Sequence, residues 1–234
     1  MGRRYDWLLF DADDTLFDFR AAGRLAIVAV LEQFGIESHS VTVACYEAVN
    51  AMMWYRRDLG TLDAADIGPG RFRHFLACLG REDIDHMEMN AAYKAALARQ
   101  SILLPGALEM VQGLHEKGYR MAIVTNGMAQ VQHGRLDKSP VKPFMEEIFI
   151  SEELGVHKPQ PEMFDVVCQR LGIADRRRAV MIGDNLQSDI LGGNLAKIDT
   201  IWYNYILATR NNEIIPTYEV SDYETLVAVI EGKS

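Results

Sequence analysis

Two regimes of hydrophobic patterning divide the chain. Residues 5–10, YDWLLF, form a short apolar run suited to a buried strand. Helical periodicity then takes over. AAGRLAIVAVLEQFG, with its stop at Gly35, VTVACYEAVNAMMWYRRD, RFRHFLACLG and HMEMNAAYKAALARQ all place apolar residues about 3.6 apart. The DIGPG stretch predicts a loop between the second and third of these. Beyond LLPG near residue 105 the pattern alternates. The helix ALEMVQGLHEKG, capped by Gly118, leads to the strand RMAIVT. A helix around MAQVQHGRL, the strand EIFIS, the helix PEMFDVVCQRLG and the strand AVMIG follow, then the helix LQSDILGGNLA and a last strand, DTIWY. Short apolar strands alternating with helices predict an α/β fold, a Rossmann-like doubly wound parallel sheet. The helical block interrupts that sheet after its first strand. The expected division is a catalytic core of residues 1–17 and 103–234 and a helical cap domain of residues 18–102.

The polar residues that close the strands are not ordinary turn formers. Asp11 follows LLF, with Asp13 and Asp14 close behind; Thr125 and Asn126 follow MAIV; Asp184 follows VMIG, with Asp189 five residues on. Lys158 stands in GVHKPQP ahead of a helix. In an open parallel sheet the ligand crevice lies beyond the carboxyl ends of the strands, so one crevice can collect all of these. Crowded carboxylates repel one another, by about 1 kcal/mol for a pair at 4 Å in bulk water and more where water is excluded. A hard cation such as Mg²⁺ relieves that repulsion and draws a phosphate in. Thr125 and Lys158 can then stabilise the phosphate oxygens during transfer. Residues 11 and 13 of an extended chain point to the same side, so both carboxyls could serve one substrate. In that scheme Asp11 is the nucleophile, Asp13 the acid and base, and Asp14 a loop or cap residue.

These residues also match a known pattern. DADDT resembles the first motif of the haloacid dehalogenase superfamily, TNG the second, the lysine of GVHKP the third and GDNLQSD the fourth, in order across residues 5–205. The resemblance implies an aspartyl-phosphate formed on Asp11 and a phosphate site of Thr125, Asn126 and Lys158. It further implies Mg²⁺ held by Asp11, the backbone carbonyl of Asp13 and Asp184, with Asp189 behind them or binding through water. Dehalogenases and phosphonate-cleaving members lack an aspartate at the position of Asp13, so the chain looks like the phosphatase or phosphomutase branch. FDADDTLF, AVNAMMWYRRDLGTL, ISEELGVHKPQPEMFD and GDNLQSDILGGNLA resemble pyrimidine 5′-nucleotidases of the YjjG type. The expected substrate is a small phosphorylated metabolite, a nucleoside monophosphate. Asn50, Trp54, Tyr55 and Arg71 of the cap would then contact its base or ribose, although Trp54 and Met52-Met53 also fit a cap core. Two other readings stay open: a phosphatase or mutase for sugar or acyl-sugar phosphates, and a binding module without catalysis.

Charge and composition narrow the partners. The formal net charge is −9, and the runs Arg56-Arg57 and Arg176-Arg177-Arg178 read as solvated charge, so nucleic-acid polymers are not expected. Three cysteines without a CxxC and six scattered histidines without an HExxH argue against disulfides and structural zinc. The N-terminal residues lack a signal peptide's apolar centre, and no apolar run approaches the ~18 residues of a membrane span. A cytoplasmic location without membrane contact is the expectation.

Overall fold

The structure is a computed structural model that describes residues 3–58, 61–62, 64–209 and 213–233. It contains two compact units, Met1–Phe19 with Ser101–Ser234, and Arg20–Gln100.

The first unit is built on six parallel strands: β1 (Trp7–Phe10), β2 (Arg120–Thr125), β3 (Glu147–Ile150), β4 (Ala179–Gly183), β5 (Asp199–Tyr203) and β6 (Tyr218–Val220). Their order across the sheet is β3-β2-β1-β4-β5-β6. Strand β1 therefore lies in the middle, with Phe10 opposite Ile123 on one side and Ile182 on the other. The side-chain period of two divides the strand residues between two cores. Leu8, Phe10, Met121, Ile123, Val180 and Ile182 pack with Met110, Val111 and Leu114 of α5 (Ala107–Glu116) and with Leu226 and Ile230 of α10 (Tyr223–Ile230). On the opposite face Trp7, Leu9, Ala122, Val124 and Met181 meet Met163, Phe164 and Val167 of α8 (Pro161–Leu171). Both faces are covered, which is why these strands read as unbroken apolar runs.

Three further helices complete this unit: α6 (Ala129–Leu136), the single turn α7 (Ser151–Leu154) and α9 (Leu191–Leu195). A wide turn at Leu186–Ile190 leads into α9. Gly118, with φ +77°, closes α5 as its residue type predicts. The pattern ended at DTIWY and missed β6 and α10. The three residues of β6 are too few to show a period.

The second unit contains most of α1 (Phe19–Gln33), together with α2 (Ser40–Asp58), α3 (Ala64–Leu79) and α4 (His86–Leu97). The DIGPG stretch is not a loop. It lies inside α3, Pro69 included. Its glycines permit close helix contact: a Cβ on Gly68 would sit 2.9 Å from Asn90 Oδ1, and one on Gly70 2.7 Å from the methyl carbon of Met53. Tertiary packing here overrides the two residues with the poorest helix propensity.

Candidate active site

Sheet order creates the site. With β1 between β2 and β4, the residues that follow these strands are neighbours at one edge. The backbone N–H of Asp11 donates to Ile182 O at 2.8 Å and so continues the ladder by one residue. The chain then curls. Leu16 and Phe17 N–H donate to Ala12 O at 3.0 and 2.9 Å, and Asp14 takes a left-handed φ of +57°. The chain bends at Ala12, between Asp11 and Asp13, and Asp13 bridges Phe17 rather than a strand of the sheet. The two carboxylates separate to different partners. Asp14 Oδ1 accepts from Phe19 N at 3.2 Å, at the start of α1.

Lys158 is the hub of the buried cluster, at 2% exposure. Its Nζ donates to Asp11 Oδ1 at 2.5 Å and to Val124 O at 2.6 Å, and lies 2.7 Å from Asp189 Oδ1. Burial alone would lower the pKa of this ammonium, but Asp11 and Asp189 outweigh it and hold the group well above its ordinary value. The side chain of Asn126 clasps the lysine's own backbone, Nδ2 donating to Lys158 O at 2.8 Å and Oδ1 accepting from Lys158 N at 2.9 Å. The amide expected on a phosphate is thus engaged at both ends with the lysine loop. Thr125 is buried, and its Oγ1 accepts from Gln132 Nε2 at 2.8 Å, which leaves its own proton to give.

Asp11, Asp184 and Asp189 can each bring a carboxylate oxygen within 4.8 Å of the others. Burial, then the charges of Asp189, Asp11 and Asp14, pushes Asp184 up to about 9. Burial likewise lifts Asp11 to about 7 against the pull of Lys158. Asp189 is fully buried, accepting from Asn185 N at 3.0 Å and Ser188 Oγ at 3.2 Å. Gly183 makes room for it: a Cβ there would lie 2.2 Å from Asp189 Oδ2. Hard oxygen donors that crowd one another and resist ionising together fit a divalent cation such as Mg²⁺.

Asp13 turns the other way. Its Oδ2 accepts from Gln132 Nε2 at 3.2 Å, and its Oδ1 accepts from Arg135 Nη1. Neither Gln132 nor Arg135 carried a sequence signal beyond a helical period, because buried polar residues on an amphipathic helix look like its solvent face. The third residue of TNG could have hinted at them. A Cβ on Gly127 would lie 2.8 Å from Gln132 Cγ, so the glycine leaves space for this side chain.

In the helical unit, Arg71 is buried and donates from Nη1 to Asn50 Oδ1 at 2.8 Å. Its guanidinium carbon sits 4.6, 5.0 and 5.5 Å from the ring centres of Tyr93, Phe72 and Tyr46. Trp54 and Tyr55, 42% and 63% exposed, are not part of that unit's packed centre.

Comparison with known proteins gives the family. The family model for haloacid dehalogenase-like hydrolases matches residues 5–197. The chain belongs to that family. It is 34% identical to the pyrimidine 5′-nucleotidase PynA of Streptococcus pneumoniae, over 97% of this chain and 95% of that one. Against the pyrimidine 5′-nucleotidase YjjG of Escherichia coli the identity is 31%, over 95% and 96% of the two chains. The crystal structure of the Bacillus subtilis HAD-hydrolase YfnB bound to magnesium matches with a TM-score of 0.92 at 35% identity, covering 97% of this chain and 99% of that one. The chain is accordingly an enzyme of the phosphatase kind within this family. Among the described residues, no helix is long and apolar enough to cross a membrane.

Proposed function

We propose that the protein is a Mg²⁺-dependent phosphomonoesterase that hydrolyses pyrimidine nucleoside 5′-monophosphates through an aspartyl-phosphate. The observation that carries this is the division of labour between two carboxylates two residues apart. Asp11 is held by Lys158, while Asp13 is held separately by Gln132 and Arg135. In the first step an Asp11 oxygen forms a bond to phosphorus as the bond to the ester oxygen breaks. Asp13 gives that departing oxygen its proton. In the second step water attacks phosphorus, Asp13 takes the water's proton, and inorganic phosphate leaves a free Asp11. Lys158 and the Thr125 hydroxyl donate to the phosphate oxygens, and Asn126 keeps the lysine loop in place. Asp11 and Asp184, the carbonyl of Asp13 and Asp189 would hold Mg²⁺. When bound, the ion neutralises charge on the phosphate and relieves the carboxylates.

The nucleotide preference draws on the pyrimidine nucleotidases among the relatives and on Trp54, whose exposed ring suits stacking against a base. Asn50, Tyr55 and Arg71 are proposed to supply the polar contacts. Steady-state kinetics on UMP, dUMP and dTMP beside hexose phosphates, with and without Mg²⁺, is the test. A higher kcat/KM for the nucleotides supports the assignment. A tenfold advantage for hexose phosphates overturns it in favour of a sugar-phosphate phosphatase.

A further inference from the structure

Arg135 lies on α6, outside all four motif segments, and is 1% exposed. Its guanidinium carbon sits 5.3 Å from the ring centres of both Phe17 and Phe19. Its Nη1 donates to Asp13 Oδ1 and, at 3.3 Å, to Gln132 Oε1. Gln132, one turn earlier, donates through Nε2 to Asp13 Oδ2 at 3.2 Å and to Thr125 Oγ1 at 2.8 Å. Each oxygen of the Asp13 carboxylate therefore has its own donor, and the same amide ties it to the strand-end threonine. Burying a guanidinium is a costly way to fill space, because its desolvation must be recovered from its partners. A methionine would pack there at lower cost. What arginine adds is a rigid planar donor that fixes the direction of a carboxylate.

We infer that Arg135, acting with Gln132, is a positioning residue for proton transfer: it fixes the orientation of the Asp13 carboxylate relative to Thr125 and the departing oxygen. Asp13 needs such a hold. It sits in a tight loop beside a left-handed residue, and the neighbouring Asp11 repels it. The two rings anchor the guanidinium from the side, so the clamp is rigid at both ends. This inference rests on the reading of Asp13 as acid and base.

The experiment measures first-turnover release of the leaving group, which precedes the water step common to all substrates, by the full chain with Mg²⁺ on two substrates. p-Nitrophenyl phosphate has a leaving group that departs without help, whereas UMP must lose an alkoxide that needs a proton. Arg135→Gln should slow first-turnover release of uridine from UMP by about 10²-fold, within the range for general acid–base catalysis, and of p-nitrophenolate from p-nitrophenyl phosphate by less than about fivefold. KM should change little for either, and Arg135→Lys should recover part of the loss. In an Asp13→Asn background, Arg135→Gln should cost no more than about twofold further, since the two residues act as a unit. Gly127→Ala, which crowds Gln132, should reproduce the UMP-selective loss in weaker form. Equal losses on both substrates, or full additivity with Asp13→Asn, would overturn the positioning role. Asp13→Asn that keeps its UMP turnover would instead overturn the acid–base reading itself. Should Arg135→Gln fail to fold by circular dichroism, Gln132→Met takes its place in the same two-substrate comparison, where a UMP-selective loss supports the positioning role and equal losses overturn it.

Discussion

Lys158 and Arg71 are both buried cations, and the chain treats them in opposite ways. Lys158 is enclosed by carboxylates, with Asp11 and Asp189 on its Nζ and Asp184 adjoining them. Were all three ionised, one positive charge among them would leave a negative surplus; burial and their mutual repulsion hold Asp11 and Asp184 toward their protonated forms. Arg71 has no carboxylate within ion-pair distance among the described residues; it has three aromatic rings and one neutral amide, and its Nε lacks a hydrogen-bond partner. There the surplus is positive. A buried charge left over on folding is expensive unless something else completes it. The first site is one cation short, and the second is one acceptor short. In the proposed function Mg²⁺ supplies the former and the leaving group the latter.

The strongest way to break the strand-end half of this contrast is Asp11→Asn. An amide cannot form the acyl-phosphate, so kcat should fall by about 10⁴-fold or more, in line with losses on removing a nucleophile. It also removes one of the surplus negative charges, so the stabilisation by Mg²⁺ should shrink. Near-normal rates in the purified variant would refute the covalent route.

Metal removal probes the surplus directly. Excess chelator should stop turnover, and Mg²⁺ should restore it. A ligand at 100 times its Kd stabilises the folded chain by about 2.7 kcal/mol, which for this size corresponds to roughly 5–10 °C in Tm. The pH dependence has a definite sign. Asp11 and Asp184, lifted to about 7 and about 9, bind more protons folded than unfolded. Their contribution to metal-free stability is therefore greatest at low pH, and it falls as pH rises from the ordinary aspartate range near ~4 through these values. Mg²⁺ must displace those protons, so its stabilisation should grow between pH 6 and pH 9. A Tm rise on adding Mg²⁺ that is flat across this range would contradict a proton-for-metal exchange at these carboxylates.

Paired methionine substitutions set the two cations against each other. Lys158→Met strands Asp11 and Asp189 without their partner and should cost about 3–5 kcal/mol in metal-free protein. Arg71→Met removes a charge that no carboxylate balances, and its stability should stay within about 1 kcal/mol of the parent while KM for UMP rises. Denaturant melts measure both. A heavy loss for Arg71→Met would make the arginine part of the unit's own packing rather than a group waiting for an acceptor.

Much of this is legible in the chain because it depends on order. Buried parallel strands read as apolar runs, and residues at their carboxyl ends fall at one edge whatever the loops do, so Asp11, Thr125 and Asp184 can be gathered from the amino-acid order alone, with Lys158 added from the loop ahead of α8. What depends on distance rather than order is hidden. Gln132 and Arg135 occupy polar positions of a helical period and differ from solvent-facing residues only in where α6 docks. Asn126 groups with the phosphate by its neighbours in the chain, yet its amide closes on a backbone 32 residues away. DIGPG carries the strongest breaker residues in the helical unit and still becomes helix, because Asn90 and Met53 require small residues beside them. Local chemistry marks Asp11, the proposed nucleophile; packing decides what holds Asp13.

The smallest expected effect concerns selectivity. In the proposed function the strand-end residues address only the phosphate, so discrimination among leaving groups is assigned to the helical unit. An exposed indole at Trp54 offers a flat face that a nucleobase can match and a hexose cannot. Base stacking on an aromatic side chain is worth about 1–3 kcal/mol by alanine substitution. Trp54→Ala should therefore narrow the kcat/KM gap between UMP and a hexose phosphate by about five- to 140-fold, since each 1.4 kcal/mol is a factor of ten. p-Nitrophenyl phosphate, with a small ring of its own, should lose less. The ring is 42% exposed and has contacts of its own, so Tm should fall by a few degrees, about 2–4 °C for each kcal/mol of packing lost. If the gap is unchanged while Arg71→Met closes it, recognition lies in the buried guanidinium and the stacking role is wrong. If neither variant moves it, the base is read by neither residue, and the helical unit's part in selectivity falls with them.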